Sequence, residues 1–142
     1  MVKIESEFDY NGYPCLVLFL SSGYRCGYVG LPKASKFYKT DFDRIPVSCH
    51  GCLTYGQRTN KGNRNIRAYW IGFDCCHLFD KNDYESAKKY FDSKTIQPLL
   101  IVENIEKQFN TDSIVRTQEY CEQECRNIVD QIIELEKGGS NG

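Results

Sequence analysis

The segment from residue 49 to residue 80 concentrates the side chains that could do chemistry. It contains both histidines of the chain, its only tryptophan and half of its eight cysteines, in the runs C-H-G-C-L-T-Y at 49–55 and Y-W-I-G-F-D-C-C-H-L-F-D at 69–80. Both runs lie at the ends of predicted strands, where a rigid sheet commonly positions binding and catalytic residues. We therefore predict one functional site in this segment.

A zinc site is the first chemistry that this segment could support. Six residues could supply a tetrahedral set of ligands, namely Cys49, His50, Cys52, Cys75, Cys76 and His77. However, a free cysteine often packs as a small hydrophobic residue. The adjacent Cys75 and Cys76 would also point to opposite faces of a strand. We expect neither a metal nor another cofactor.

Catalysis is the second possibility, in two forms. Cys75 could act as a nucleophile beside His50 or His77 and an aspartate. Alternatively, a cluster of histidine and aspartate could perform acid–base chemistry or hold a divalent metal in a small hydrolase. Its members would be His50, Asp74, His77 and Asp80. No local sequence matches a known nucleophile signature, so neither form is the favoured interpretation.

Binding without turnover is the interpretation that we favour. Aromatic rings could stack on a base, polar side chains could direct hydrogen bonds, and arginine forks could grip a phosphate. We predict a nucleotide-type small molecule as the partner. The predicted ligand-binding residues are His50, Thr54, Tyr55, Arg58, Arg64, Trp70, Asp74, His77 and Asp80. The polar stretch 57–65 is expected to be a mobile loop that steers an anionic ligand.

Composition excludes several other classes of protein. The 142 residues are 41% hydrophobic and 26% charged, with a formal net charge of −1. This balance lacks the basic excess of a protein that binds double-stranded nucleic acid. The longest apolar run, Cys15 to Leu20, is too short to cross a membrane, and no signal peptide is visible. We expect a cytoplasmic protein whose cysteines are thiols.

Hydrophobic periodicity predicts strands first and helices later. The strands are expected at 2–9, 13–20, 24–29, 52–55 and 66–73, with an Asn11-Gly12 hairpin turn and an ordered loop over 30–48 that holds one helical turn. The helices are expected at 84–92 and 96–109, followed by a longer one capped at 111–113. The prediction is an α+β domain over 1–137, with about five antiparallel strands, two to three helices on one face and a flexible tail at 138–142.

The third predicted helix has an apolar face and a polar stripe. The apolar face comprises Ile114, Cys121, Cys125, Ile128, Ile132 and Leu135, and Gly138 is expected to end the helix. The polar stripe comprises Arg116, Glu119, Tyr120 and Glu124. It could be a solvated flank, a seam between subunits or the wall of a pocket. The apolar helix and the abundance of aromatic residues favour a homo-oligomer.

Four motifs together resemble a family of short proteins encoded by phages and prophages. They are G-Y-V-G-x-P at 27–32, H-G-x-L-T-Y at 50–55, W-x-G-F-D-C-x-H-x-x-D at 70–80 and R-T-x-E-Y-x-x-x-E-C at 116–125. Cys52 and Cys76 depart from the small residues usual in that family. The resemblance implies a phage context in a host cytoplasm. By analogy it implies sequestration of a nucleotide-derived immune signal, such as a cyclic dinucleotide or an ADP-ribose derivative. The alternatives are hydrolysis of such a signal or inhibition of a host defence enzyme by direct binding.

Overall fold

The computed structural model describes residues 1–109 and 112–140. It contains seven strands and three α-helices. The strands are β1 (Val2–Tyr10), β2 (Tyr13–Leu20), β3 (Arg25–Leu31), β4 (Tyr55–Lys61), β5 (Ile66–Asp74), β6 (Asp80–Lys81) and β7 (Ile114–Val115), and the helices are α1 (Tyr84–Tyr90), α2 (Gln97–Glu106) and α3 (Gln118–Ser140). A single 3₁₀ turn, Phe42–Arg44, lies in the long segment between β3 and β4, as expected for that segment.

Five strands form an antiparallel sheet in the order β1-β2-β3-β5-β4. The first hairpin is the one that the sequence predicts, because Asn11 and Gly12 adopt positive φ angles of 49° and 86° at its turn. Alternation along β2 then places Val17 on one face of the sheet and Leu16 on the other. Different structural elements pack against the two faces of the sheet, and this difference decides where a site can form.

All three helices pack on the same face of the sheet. Val17, Val29 and Ile71 contribute to a core that also contains Cys125 and Ile128 of α3. A second cluster on this face joins Phe19 to the short helices α1 and α2. The predicted α+β class is therefore confirmed, including the position of the longest helix at the C-terminal end.

Among the described residues, no helix packs on the opposite face, and the tip of the β4–β5 hairpin reaches across it to Glu7 and Leu16. Trp70 is completely buried there between Leu16 and Ala68. At the tip of the hairpin, the Arg64 guanidinium pairs with Glu7 at 3.1 Å and with Asp9 at 3.0 Å, which ties the hairpin to β1. The prediction of a mobile loop over 57–65 is therefore wrong, because most of that stretch is strand β4.

The helical part of the chain differs from prediction at both ends of α3. Ile114 does not belong to the helix: it lies exposed in β7, which pairs in parallel with β6. The helix begins at Gln118 and continues through Gly138 to Ser140, so the expected stop at Gly138 is wrong. The last two residues of the predicted tail lie outside the described part of the chain. Asp83 caps α1, accepting a hydrogen bond from the Ser86 backbone N–H at 3.0 Å.

A buried ionic network joins the sheet to the helices. The Arg25 guanidinium contacts Glu5 of β1 at 2.6 Å and the helix cap Asp83 at 2.8 Å, and it also donates to the backbone carbonyl of Arg116 at 3.1 Å. The side chains of Arg25 and Glu5 are 5% and 1% exposed. Arg25 therefore fixes the chain just before α3, where the functional site is completed. Within the described residues, no helix has the length and apolarity needed to span a membrane.

Candidate functional site

Three separate segments of the chain meet at the carboxylate of Asp80. Its Oδ2 accepts a hydrogen bond from His50 Nε2 at 2.8 Å and from the His77 backbone N–H at 3.0 Å. Its Oδ1 accepts from Arg116 Nε at 2.9 Å. The Asp80 side chain is only 1% exposed, so three donors surround a carboxylate that has almost no contact with water.

These donors define the charge state of Asp80 and the tautomer of His50. Burial would raise the pKa of Asp80, but the hydrogen bonds from His50, His77 and Arg116 outweigh it and lower that pKa below its usual range. Because the ionised carboxylate can only accept, His50 Nε2 must carry a proton. When His50 is neutral, its Nδ1 then accepts a hydrogen bond from the Tyr120 hydroxyl, which lies at 2.9 Å.

Asp74 forms a second, more open carboxylate centre beside the first. It accepts hydrogen bonds from Thr54 Oγ1 at 3.0 Å and from the Cys76 backbone N–H at 3.1 Å. His77 Nε2 lies 3.2 Å from Asp74 Oδ1. The side chains of His77 and Asp74 are 35% and 33% exposed, and the rings of His50 and His77 lie 5.9 Å apart. The two centres are therefore one continuous site with a buried side and a solvent side.

Helix α3 and Arg116, which lies two residues before it, border this site. Glu124 Oε1 accepts a hydrogen bond from the His50 backbone N–H at 2.7 Å. The guanidinium of Arg116 lies over the Tyr120 ring, 5.3 Å from its centroid. Burial, followed by the charge of Glu124, raises the pKa of Tyr120, so its hydroxyl keeps its proton at neutral pH. Three residues of the predicted polar stripe, Arg116, Tyr120 and Glu124, thus border the site, whereas Glu119 is exposed.

Gly51 allows the first segment to approach the second. Its φ angle is +64°, a conformation that glycine adopts at little cost. A Cβ atom at this position would overlap the imidazole ring of His77. Glycine is therefore needed at position 51 for both its backbone conformation and the space that it leaves.

The thiols of this region are poorly suited to nucleophilic catalysis. Cys75 is 2% exposed and its Sγ lies 3.6 Å from that of Cys121 in the core. The hydrogen bond with Cys121 and burial both raise the pKa of the Cys75 thiol, whereas a nucleophilic cysteine needs a lowered pKa. Burial likewise raises the pKa of Cys49 to about 12. Cys75 is a core residue, so the cysteine-nucleophile alternative is wrong.

The structure also bears on the proposed zinc ligands. Cys75 faces the core whereas Cys76 is exposed, as expected for neighbours in an extended segment. Among residues 1–109 and 112–140, no group of three or more histidine, cysteine, aspartate or glutamate side chains is arranged to hold a metal ion.

Four of the predicted ligand-binding residues lie away from this site. Trp70 is buried on the helix-free face and its Nε1 donates to the Ile66 carbonyl, so its ring cannot stack on a ligand. Tyr55 packs edge-on against Tyr28 on that same face, at a centroid distance of 5.1 Å. Arg58 is exposed in β4 opposite Tyr69, and Arg64 is occupied by its two carboxylate partners. The placements of Tyr55 and Arg64 depend on partners distant along the chain, whereas that of Trp70 follows from strand alternation.

The remaining five predicted residues do come together, namely His50, Thr54, Asp74, His77 and Asp80. Three further residues, which the predicted set did not include, complete the site. They are Arg116, Tyr120 and Glu124. The signal for them was the polar stripe at helical spacing beside an apolar face. That stripe alone did not distinguish a pocket wall from a solvated flank.

The chain was compared with known proteins at three levels. No protein-family model, no curated protein and no solved structure matches it. The function of this chain is therefore inferred from the geometry of the site.

Proposed function

We propose that this protein binds a nucleotide-derived small molecule at the site around Asp80 and Asp74 and retains it without turnover. The observation that carries this proposal is the state of Arg116. Its Nε is held by Asp80, which fixes the guanidinium in place. Its two terminal NH₂ groups have no hydrogen-bond partner among the described residues, and the side chain is 23% exposed. A fixed guanidinium fork with free donors is well suited to a phosphate group.

The charges around Arg116 restrict the kind of nucleotide. Three carboxylates lie within the same site, on Asp74, Asp80 and Glu124, so a densely charged polyphosphate is disfavoured. Partly exposed carboxylate and imidazole groups, as on Asp74 and His77, are suitable partners for the hydroxyls of a ribose. The preferred ligand therefore carries few phosphates and several hydroxyls. ADP-ribose derivatives and cyclic dinucleotides both belong to this class.

Retention of the ligand is favoured over its hydrolysis because the buried polar groups of the site already have hydrogen-bond partners within the protein. Both ring nitrogens of His50 are engaged, and the Asp80 carboxylate accepts three hydrogen bonds. The raised pKa of Tyr120 also disfavours a nucleophilic phenolate. The hydrolase remains the second candidate, because a chain of hydrogen bonds from Tyr120 through His50 to Asp80 is an arrangement that acid–base catalysts use.

The biological part of the proposal is the capture of an immune signal during phage infection. It is supported by the resemblance of the four motifs to phage proteins. The geometry adds that the motifs at 50–55, 70–80 and 116–125 meet in one site, whereas they are dispersed along the chain.

The test is calorimetry against ADP-ribose, cyclic ADP-ribose derivatives and cyclic dinucleotides, followed by heat denaturation and chromatography of the released ligand. We expect at least one panel member to bind and to return intact. Replacing Arg116 by Gln should weaken that binding about tenfold or more, since a charge-assisted hydrogen bond is lost. Arg67→Gln, at an exposed position on β5, is the matched control. Products formed at catalytic amounts of protein would establish the hydrolase, and no binding to any panel member would contradict the proposal.

A further inference from the structure

Two acceptor oxygens lie next to each other on the open side of the candidate site. The Thr54 hydroxyl donates its proton to Asp74 Oδ2, and the two oxygens are 3.0 Å apart. Thr54 is exposed and the side chain of Asp74 is 33% exposed, so a ligand can reach both. Asp74 ends β5, and Thr54 directly precedes the neighbouring strand β4, where its backbone N–H donates to the Gly72 carbonyl at 2.9 Å. The sheet therefore fixes the position of this pair.

Both oxygens keep the capacity to accept a further hydrogen bond. A hydroxyl has one proton and two acceptor positions, and within the described residues Thr54 Oγ1 uses only its proton. The contacts of the Asp74 carboxylate are unequally divided. Its Oδ1 accepts from the Cys76 backbone N–H and lies 3.2 Å from His77 Nε2, whereas its Oδ2 accepts from Thr54. Asp74 Oδ2 and Thr54 Oγ1 are therefore a pair of neighbouring acceptors available to a ligand.

The spacing of this pair matches that of a vicinal diol. The two oxygens of a ribose 2′,3′-diol lie about as far apart as two hydrogen-bonded hydroxyls, at about 2.8 Å. One hydroxyl can therefore donate to Asp74 Oδ2 while its neighbour donates to Thr54 Oγ1. A single hydroxyl has only one proton, so it can satisfy only one of the two acceptors. A phosphodiester brings negative charge and no donor, so the Asp74 carboxylate repels it.

His77 connects this pair to the phosphate anchor proposed at Arg116. The His77 backbone N–H donates to Asp80 Oδ2 at 3.0 Å, while its ring nitrogen Nε2 lies beside Asp74. Asp80 in turn holds Arg116 through its other oxygen. The acceptor pair and the guanidinium therefore lie on the two sides of one histidine, so that the ribose and the phosphate of one nucleotide can contact both.

We infer that Thr54 and Asp74 select ligands that carry an unsubstituted vicinal diol. The ligand then belongs to the ADP-ribose derivatives with a free ribose diol and not to the 3′,5′-cyclic dinucleotides. In the latter each 3′ oxygen is esterified, so that no vicinal diol remains. This inference rests on the proposed function and narrows its ligand class, with Thr54 as a residue that determines specificity.

Calorimetry with AMP and 2′-deoxy-AMP tests the selection directly. AMP should bind about tenfold more tightly, the effect of one hydrogen bond in a site of charged groups. Thr54→Val keeps the shape of the side chain but removes its acceptor, so it should bring the two affinities together. Because the readout is a ratio of affinities, a loss of stability does not imitate this effect. Thr59→Val, on β4 opposite Ala68, is the matched control and should keep the preference for AMP.

ADP-ribose and 3′,5′-cyclic di-AMP complete the panel, and ADP-ribose should bind more tightly. Equal affinities for AMP and 2′-deoxy-AMP would overturn the inference, as would an unchanged preference in Thr54→Val. Tighter binding of cyclic di-AMP that depends on Arg116 would leave the proposed function intact and remove the diol selection. A preference for AMP together with an ADP-ribose affinity that Arg116→Gln does not change would keep the diol selection and remove the phosphate anchor. No binding of any of the four at millimolar concentration would contradict both.

Discussion

Asp80 is the residue on which the geometry of the site depends most. Its two oxygens accept three hydrogen bonds in a nearly dry environment. Asp80→Asn removes the charge and turns an NH₂ group toward a donor, so a buried ion pair is broken without being replaced. We expect the free energy of unfolding to fall by about 3–5 kcal/mol in urea titrations at pH 7. Asp74→Asn, at a one-third exposed position, should cost less than about 1 kcal/mol. Similar losses in both variants would contradict this ranking.

The same carboxylate should make stability sensitive to acid. For both Asp80 and Asp83, burial acts to raise the pKa, but hydrogen bonds and ion pairs outweigh it and the pKa is lowered. A lowered pKa means that the stabilisation is complete above the usual aspartate value of about 3.9 and is lost as pH falls through the lower, folded-state value. Urea midpoints measured from pH 6 to pH 2 should therefore decline below about pH 4. The decline should be shallower in Asp80→Asn; an unchanged slope would exclude Asp80 as its source.

A substitution at Gly51 tests the contact between the loop that carries His50 and the ring of His77. Gly51→Ala places a Cβ both in an unfavourable backbone conformation and against the His77 ring. We expect a loss of about 1–3 kcal/mol in stability and weaker binding of the nucleotide. Gly12→Ala is the control, because its φ is also positive at 86° but nothing lies within 4 Å of the added Cβ. Gly12→Ala should lose stability without losing affinity for the nucleotide. Equal losses of affinity in the two variants would show that the contact with His77 does not contribute to binding.

Among the elements, the ionic network of Arg25 connects β1, β3, α1 and the start of α3. Arg25→Met would remove the cationic partner of Glu5 and Asp83, which keep only the hydrogen bonds from Tyr90 and Ser86, so we expect a loss of about 3–5 kcal/mol. Arg25→Lys should recover only part of it, because an ammonium cannot make the paired contacts of a guanidinium fork. Arg67→Met on the exposed part of β5 should change stability by less than about 0.5 kcal/mol. Full recovery by Arg25→Lys would show that charge alone matters.

The elements that could be predicted are those with local signals. The first hairpin carries Asn11-Gly12 between an alternating segment and an apolar run, and α1 carries its own cap at Asp83, so both were recognisable from the sequence. Strand β4 was not, because G-Q-R-T-N-K has no apolar alternation. It forms because β5 supplies its hydrogen-bond partners, and Arg64 then ties the hairpin to a strand more than fifty residues away.

The same distinction applies to the candidate site. The clustering of both histidines with Asp74 and Asp80 in sequence indicated where it would form. The contribution of Arg116 depends on a contact between residues 36 positions apart, which no local pattern specifies. Trp70 was misplaced for the converse reason: it lies within the motif, but strand alternation turns it to the opposite face from Tyr69 and Ile71.

At the scale of the whole molecule, large exposed apolar side chains are concentrated in the chain between residues 78 and 114. Most of the large ones lie on α2 and on the segments around β6 and β7, namely Leu78, Phe79, Ile101, Val102, Ile105, Phe109 and Ile114. So many large exposed apolar side chains favour an interface over a fully solvated surface. We propose that the predicted homo-oligomer forms through this surface, with α2 at its centre.

The oligomer proposal predicts the effect of charge on the outer face of α2. Ile101 and Ile105 are 55% and 54% exposed and one helical turn apart, so a double Asp variant places two like charges in the centre of the interface. Sedimentation equilibrium should show the mass falling to that of a single chain, 16.4 kDa, without loss of helix content. Val2→Asp, at an equally exposed apolar residue on β1, should leave the mass unchanged. A wild-type protein that is monomeric at all concentrations would contradict the proposal, as would a double variant that keeps the wild-type mass.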